Sequence, residues 1–290
     1  MKRILILMNE CGRFERYHYL IDDLSEAWQN RGLQVSYVYG VRERPEADLL
    51  IAHVDLTRTP PEYVEYIRSF PYAVNRDVLD ISKRKISAHL LRGDEDFRGP
   101  VIVKTDNNCR GDPEEFQFRQ RHPQLRRLRR KALSALEHLP GQRFAWRNTL
   151  DEYPIYDSLA NVPRGVFRNK ALVVEQFLPE RKGDRYLVRQ YIFLGDHIQS
   201  TRLAGPKPFV KRPLAKLFDE GLPVPEPVLD LRRRLGLDYG KIDYTIHAGQ
   251  VVILDVNCTP SLPRTSEEAV IVGKLADGIW SLLSSKGNTA

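Results

Sequence analysis

The chain has 290 residues, 42% hydrophobic and 29% charged, enough for more than one hydrophobic core. Its 45 basic against 38 acidic residues leave a net charge of +7, which favours anionic partners: a nucleotide, a phosphorylated or carboxylate substrate, or nucleic acid. The three cysteines, Cys11, Cys109 and Cys258, are far apart and lack metal-site spacing, which argues against a disulfide framework and for a reducing cytoplasm.

The apolar run at the start stops after Met8 and reads as a buried first strand, Ile4–Met8, rather than a signal peptide. No later segment approaches transmembrane length. Tyr17–Asn30 has helical spacing, with Arg31-Gly32 as its stop. Gln34–Tyr39 and Asp48–His53 read as strands, Pro61–Ser69 as a short helix and Tyr72–Asn75 as a further strand. This β-α-β-β-α-β order over residues 1–77 predicts a small parallel α/β domain of Rossmann-like type. Only Gly12 follows the first strand, so the glycine fingerprint of a dinucleotide site is missing. The domain reads as a substrate-side scaffold, with Asn9, Glu10 and Arg13 forming one wall.

From Val78 the texture changes. Asp80–Leu91 reads as a helix with basic first turns, and Val101–Lys104 as a strand running into a polar loop, Thr105 to Asp112. Glu114–Leu139 reads as a basic helix broken by Pro123, and Tyr153–Asn169 as irregular. Ala171–Phe177 and Tyr186–Phe193 are strands, the second turning at Gly195-Asp196 into His197–Arg202. Pro-rich linkers surround Leu214–Gly221, Pro227–Gly236 is a helix, and Ala269–Leu283 closes the chain as one amphipathic helix.

Between these last two helices, Lys241 to Asn257 has two β-rich runs around Ala248-Gly249, which predicts a hairpin. Asp243 lies on the first run, Asp255 and Asn257 on the second. A two-residue loop would pair His247 with Gln250 and put the two aspartates on opposite faces. A three-residue loop, His247-Ala248-Gly249, pairs Ile246 with Gln250. Ile242, Tyr244, Val252 and Leu254 then share one face, and Asp243, Asp255 and Asn257 the other. The reading therefore expects an odd-length turn and an all-oxygen site for magnesium carried by a nucleotide. The same acids also suit the solvated face of an amphipathic hairpin.

Lys104 ends an apolar strand and suits either of two readings: a holder of nucleotide phosphates, with the Asp106–Asp112 loop lying over them through backbone amides and Arg110, or an exposed strand-end lysine before an ordinary loop. The run Glu175-Gln176-Phe177-Leu178 before Pro179 reads either as an adenine hinge, with Asp184 as the acceptor for ribose hydroxyls, or as an edge strand ended by Pro179. Thr259, Ser261 and Arg264 follow the hairpin and offer groups for a substrate carboxylate.

In this order and spacing the pieces resemble the ATP-grasp superfamily over roughly Val78 to Leu283, the acid-x-Asn pair before Pro260 being the most diagnostic. The resemblance implies an α/β (α+β) fold: two α+β lobes holding ATP, preceded by the Rossmann-like domain. The division is 1–77, then 78–172 with a basic helical insertion, then 173–290 with the hairpin. It implies that Lys104, helped by Lys83 or Lys85, contacts the α/β-phosphates, and that Asp243, Asp255 and Asn257 bind two magnesium ions, manganese being a substitute. Arg189, Arg202 and Lys211 would face the γ-phosphate and the developing acyl phosphate. Two departures stand out: the glycine-rich flap is reduced to Gly111, and the usual central glutamate is Asp255.

The activity so implied is ATP-dependent joining of a carboxylate to an amine or thiol, with release of ADP and phosphate. Alternatives are a phosphotransferase of the same fold, or a nucleotide- or RNA-binding protein without turnover. The expected partners are small-molecule carboxylates and amines in the cytoplasm, and a homodimer is one option for the assembly. The basic run Arg119–Lys131 suits RNA or a tRNA-borne substrate, but it carries no aromatic residue to stack on bases and fits a solvated helical face better.

Overall fold

The computed structural model describes residues 1–12, 18–125, 144, 146–210, 216–262 and 266–284. Contacts group them into two compact units, one of residues 1–80 with 179–290 and the other of 81–178.

The first unit begins with β1 (Arg3–Met8), α1 (Leu20–Asn30), β2 (Gln34–Tyr39), β3 (Leu49–His53), α2 (Pro61–Arg68) and β4 (Ala73–Val74). Its four strands form a wholly parallel sheet in the order β2-β1-β3-β4. Ile4, Ile6 and Met8 pack with Leu20, Leu24 and Trp28 of α1, while Leu5 and Leu7 pack with Tyr63 and Ile67 of α2. A helix on each face explains why the first strand is a continuous apolar run rather than an alternating one. The expected elements recur here within a few residues, except that α1 starts at Leu20.

The second unit holds α3 (Lys83–Ile86), β5 (Leu90–Leu91), β6 (Val101–Thr105), α4 (Asp112–Arg121), β7 (Ile155–Tyr156), α5 (Arg164–Arg168) and β8 (Leu172–Gln176). Its sheet is antiparallel, in the order β5-β8-β6-β7. The helix expected over Asp80–Leu91 is a single turn. Ser87 is extended at φ −86° and ψ 132°, and Leu90 and Leu91 pair with Glu175 and Val174, so ladder bonds to β8 outweigh local helical preference. Tyr153–Asn169, expected to be irregular, contains β7 on the edge of β6, and α5, whose Val166 enters the core. The basic helix α4 ends at Arg121, just before Pro123, as a proline break requires. Residues 126–139 of that expected helix lie outside the described residues.

The first unit resumes with β9 (Glu180–Lys182), β10 (Arg185–Leu194), β11 (His197–Gly205), β12 (Lys216–Glu220), α6 (Glu226–Leu235), β13 (Tyr239–His247), β14 (Gln250–Asn257), α7 (Ser266–Ala276) and α8 (Ile279–Ser284). The strands form an antiparallel sheet in the order β12-β11-β10-β13-β14, with β9 added on β10. Ile192, Leu194 and Tyr239 of this sheet join Trp28 of α1 and Ile271, Leu275 and Ile279 of the closing helices in one core. Those closing helices were expected as one. They separate at Gly278, where a Cβ would overlap the carbonyl oxygen of Leu194. Gly278→Ala is expected to lower stability by about 3 kcal/mol through this overpacking, read as a fall in the urea midpoint at constant m-value. No helix among the described residues is long and apolar enough to cross a membrane.

Candidate functional site

The hairpin departs from its expected register. His247 pairs with Gln250, so the loop is the two residues Ala248-Gly249, with φ values of 48° and 81°. Left-handed backbone at both positions is what the favoured two-residue turns demand. An uninterrupted ladder from that turn would separate Asp243 from Asp255. It is interrupted: Tyr244 pairs with Ile253 but Asp243 pairs with Asp255, leaving Leu254 as a bulge. The two aspartates are therefore directly opposite each other. Lys241 opposite Asn257 continues the same face, and Ile242 opposite Val256 fills the buried one. Val252, expected beside Ile242, instead faces Thr245 on the carboxylate side. Because Ala248 holds a left-handed conformation that side chains resist, Ala248→Asn is expected to stabilise the protein by about 0.5–1 kcal/mol, read from the thermal midpoint.

Neighbours orient the first carboxylate. Gln190 of β10, opposite Asp243, donates from Nε2 to its Oδ1 at 3.1 Å, and Lys241 Nζ lies 3.0 Å from its Oδ2. Lys241 thus holds one carboxylate oxygen that a divalent ion would need. Asn257 Oδ1 accepts the Thr259 backbone N–H at 2.8 Å. The Thr259 hydroxyl donates to Asp55 Oδ1 at 2.6 Å, and the Tyr19 hydroxyl donates to Asp55 Oδ2. Burial pushes the Asp55 carboxyl above its ordinary range, against the pull of the Thr259 and Tyr19 hydroxyls. Ser261 bridges to Tyr19, so Thr259 and Ser261 both sit beside this cluster.

The donor set is two carboxylates and an amide, all oxygen, which suits magnesium or manganese. Among the described residues no group of three His, Cys, Asp or Glu is placed to hold a metal. A hard ion here would therefore complete its shell with water and substrate phosphate, as magnesium usually does.

Arg189 and Arg202 do not join this face. Arg189 is opposite Tyr244 on one side and Arg202 on the other, whereas Gln190 is opposite Asp243. Strand alternation therefore sends both arginines to the reverse of the sheet, away from the aspartates. There Glu180 takes Arg189 in a fork (Nε to Oε2 at 2.9 Å, Nη2 to Oε1 at 2.7 Å) and accepts the Ile246 N–H at 2.9 Å. Arg202 pairs with Asp219 and lies 3.9 Å from Glu180. The basic residue that does share the aspartate face is Lys241. Lys211 and Arg264, like Arg13, lie outside the described residues.

In the second unit, Val101, Val103, Leu172 and Val174 point into the core. Alternation puts Lys104 and Glu175 on the opposite side of the sheet, where Lys104 Nζ lies 2.6 Å from Glu175 Oε2 and both are buried. Glu175 Oε1 is buried with no hydrogen-bond partner among the described residues. Lys83 is also buried, and its Nζ donates to Asn108 Oδ1 at 3.1 Å in the loop after Lys104, whereas Lys85 is exposed. In that loop Cys109, Arg110 and Gly111 all have positive φ, and a Cβ on Gly111 would come 2.6 Å from the Asn148 carbonyl oxygen. Arg110, expected over phosphates, instead donates to the Asp151 carbonyl at 2.7 Å and pairs with Asp112. At the hinge, the amides of Gln176 and Phe177 donate to the carbonyls of His89 and Pro100, so neither can donate to a base edge. Asp184 is exposed in the Gly183-Asp184 turn joining β9 to β10.

Asp55, Lys241, Gln190 and Glu180 were not singled out from sequence. Lys241 had a usable signal, since it lies two residues before Asp243 on the same strand and must share its face. Asp55 had none, because it acts on a residue 204 positions away.

No protein-family model matches the sequence, and neither does any curated protein. Solved structures do. The chain is similar to a D-alanine–D-alanine ligase from Bacillus anthracis, at a TM-score of 0.52 and 15% identity, covering 100% of both chains. It is similar to the ATP-grasp ligase PsnB, solved with a phosphomimetic variant of a minimal precursor, Mg and ADP; the TM-score is 0.53 and the identity 10%, over 96% of this chain and 98% of that one. It is also similar to the D-cycloserine synthetase DcsG, at a TM-score of 0.50 and 13% identity, over 97% and 99% of the two chains. Matches of this length and this low identity establish architecture, and the chain has the ATP-grasp fold.

Proposed function

We propose that this protein is an ATP-dependent ligase that activates a carboxylate as an acyl phosphate and joins it to an amine or thiol, releasing ADP and phosphate. The observation that carries the reading is the direct opposition of Asp243 and Asp255, with Asn257 on the same face, in a chain of ATP-grasp fold. These three residues would hold magnesium, which when bound neutralises charge on the transferred phosphoryl group. Lys241 adds a cation on that face, in the role expected of Arg189 and Arg202. Lys104 and Lys83 contact the α/β-phosphates; Lys83 is preferred to Lys85 because its ammonium already lies against the loop that follows Lys104. Glu175 to Leu178 and Asp184 serve adenine and ribose, with Glu175 Oε1 as the acceptor still open. Ser261, with Arg264, serves the substrate carboxylate; Thr259, expected beside them, has its N–H on Asn257 and its hydroxyl on Asp55 and has no donor left for it. The division 1–77, 78–172 and 173–290 and a cytoplasmic setting belong to the same proposal.

The chemical logic is positioning. A carboxylate is a poor acyl donor until phosphorylated, and the residues above need only align it with the γ-phosphate and shield the product from water. Pools of acids and amines, screened for ATP-dependent phosphate release and then by mass spectrometry, test the proposal. A ligase releases ADP and phosphate only when both acid and amine are present. Phosphate retained on a single acceptor would make the protein a phosphotransferase instead. RNA binding in a salt titration without any turnover would remove the enzymatic reading. In the run proposed for such binding, Arg119 is paired with Glu115 at 2.9 Å, and residues 126–131 lie outside the described residues.

A further inference from the structure

We infer that Asp55 is a positioning residue for Asn257, keeping one lone pair of the Asn257 amide oxygen open to a cation by holding the hydroxyl proton of Thr259. The inference rests on the magnesium reading above. Asp55 follows β3 with a φ of 54°, a left-handed conformation that non-glycine residues seldom adopt. That backbone presents its two carboxylate oxygens to two hydroxyls, Tyr19 at Oδ2 and Thr259 at Oδ1.

An amide oxygen has two lone pairs, and a threonine hydroxyl has one proton to donate. Asn257 Oδ1 already accepts the Thr259 backbone N–H at 2.8 Å, which uses the first lone pair. Thr259 Oγ1 lies 3.2 Å from the same oxygen, near enough to donate its proton there and use the second. Asp55 Oδ1 competes from 2.6 Å, and a carboxylate is the stronger acceptor. The hydroxyl proton therefore goes to Asp55, and Asn257 retains a lone pair that a hard cation can take. Asp55 touches neither metal nor substrate; its effect passes through Thr259.

Mn2+ binding to the whole protein in the presence of ADP, followed by the electron paramagnetic resonance of free Mn2+, tests this without relying on turnover. In Asp55→Ala the released hydroxyl turns onto Asn257, and Mn2+ affinity is expected to fall about tenfold. Adding Thr259→Val removes that hydroxyl, so the double variant is expected to return to within about threefold of wild type. A purely structural role for Asp55 predicts a double variant no better than Asp55→Ala, and that result would overturn the inference, as would unchanged affinity in Asp55→Ala. Should Asp55→Ala fail to fold, Thr259→Val alone decides. It should bind Mn2+ like wild type, and a tenfold loss would show that the hydroxyl supports Asn257 rather than competing for it. Wild-type protein that binds no Mn2+, or an Asp255→Ala variant that binds it undiminished, would instead refute the magnesium reading, and the inference would fall with it.

Discussion

Asp255→Ala is expected to lower kcat/KM for nucleotide-dependent turnover by at least about a hundredfold, a loss of roughly 3 kcal/mol of transition-state stabilisation. Asp255 is the only carboxylate directly opposite Asp243 in the hairpin ladder. Without it, Asp243 remains engaged by Lys241 and Gln190, and Asn257 contributes a neutral oxygen. One partly neutralised carboxylate and an amide carry too little charge to hold magnesium against its strong hydration. Asp255→Glu retains an oxygen donor with longer reach, so partial activity and a raised magnesium requirement are expected. Steady-state kinetics at varied magnesium, repeated with manganese, measures both. Full activity in Asp255→Ala would show that this face is merely the solvated side of an amphipathic hairpin.

Glu180→Ala should destabilise the fold by about 3–5 kcal/mol, the usual cost of leaving the charged partner of a buried pair alone. Glu180 is 9% exposed; it receives the forked Arg189 guanidinium and the Ile246 N–H, and Arg202 lies beyond. Its removal strands the Arg189 guanidinium and one backbone donor on the reverse face of the sheet, while Arg202 keeps Asp219. The pH dependence has a definite sign. Burial pushes the Glu180 carboxyl up, but the Arg189 hydrogen bond, the Ile246 N–H and the charges of Arg189 and Arg202 outweigh it, so its pKa lies below the ordinary value of 4.5. A carboxylate with a depressed folded-state pKa contributes stability that is fully present above its unfolded value and lost as pH falls through its folded value. The stability gap between wild type and Glu180→Gln, measured by urea unfolding, should therefore be constant near neutrality. It should narrow only as pH falls below the ordinary glutamate range. A gap that widens on acidification would contradict this account.

The arginine cluster and the aspartate face also show why candidate residues were only partly legible. Lys104, Asp243, Asp255 and Asn257 stand out because polar residues within β-rich runs conflict with a purely structural role. Arg189 and Arg202 stand out for the same reason, yet their direction depends on the pairing of β10 with β13. That pairing puts Gln190, not Arg189, beside Asp243. A shift of one residue exchanges the two faces, and nothing within β10 itself marks which register it takes. Glu180 closes the hinge segment in sequence, but only the folded sheet brings Arg189, Arg202 and the Ile246 amide to it.

The amino-acid sequence by itself determined the alternation of strands and helices in residues 1–77, the apolar strands that carry Lys104 and Glu175, and a hairpin with two aspartates and an asparagine. These are local properties: hydrophobic period, stop signals and residue type. Tertiary structure decided what those side chains meet. The turn after His247 is even, and a bulge at Leu254 restores the opposition that the turn alone would destroy. A bulge of this kind requires no glycine and leaves no mark in composition; its place is set by Ile242 and Val256 packing inside while β13 keeps its ladder with β10. The Asp55–Thr259–Asn257 chain likewise exists only because folding joins the end of β3 to the end of β14.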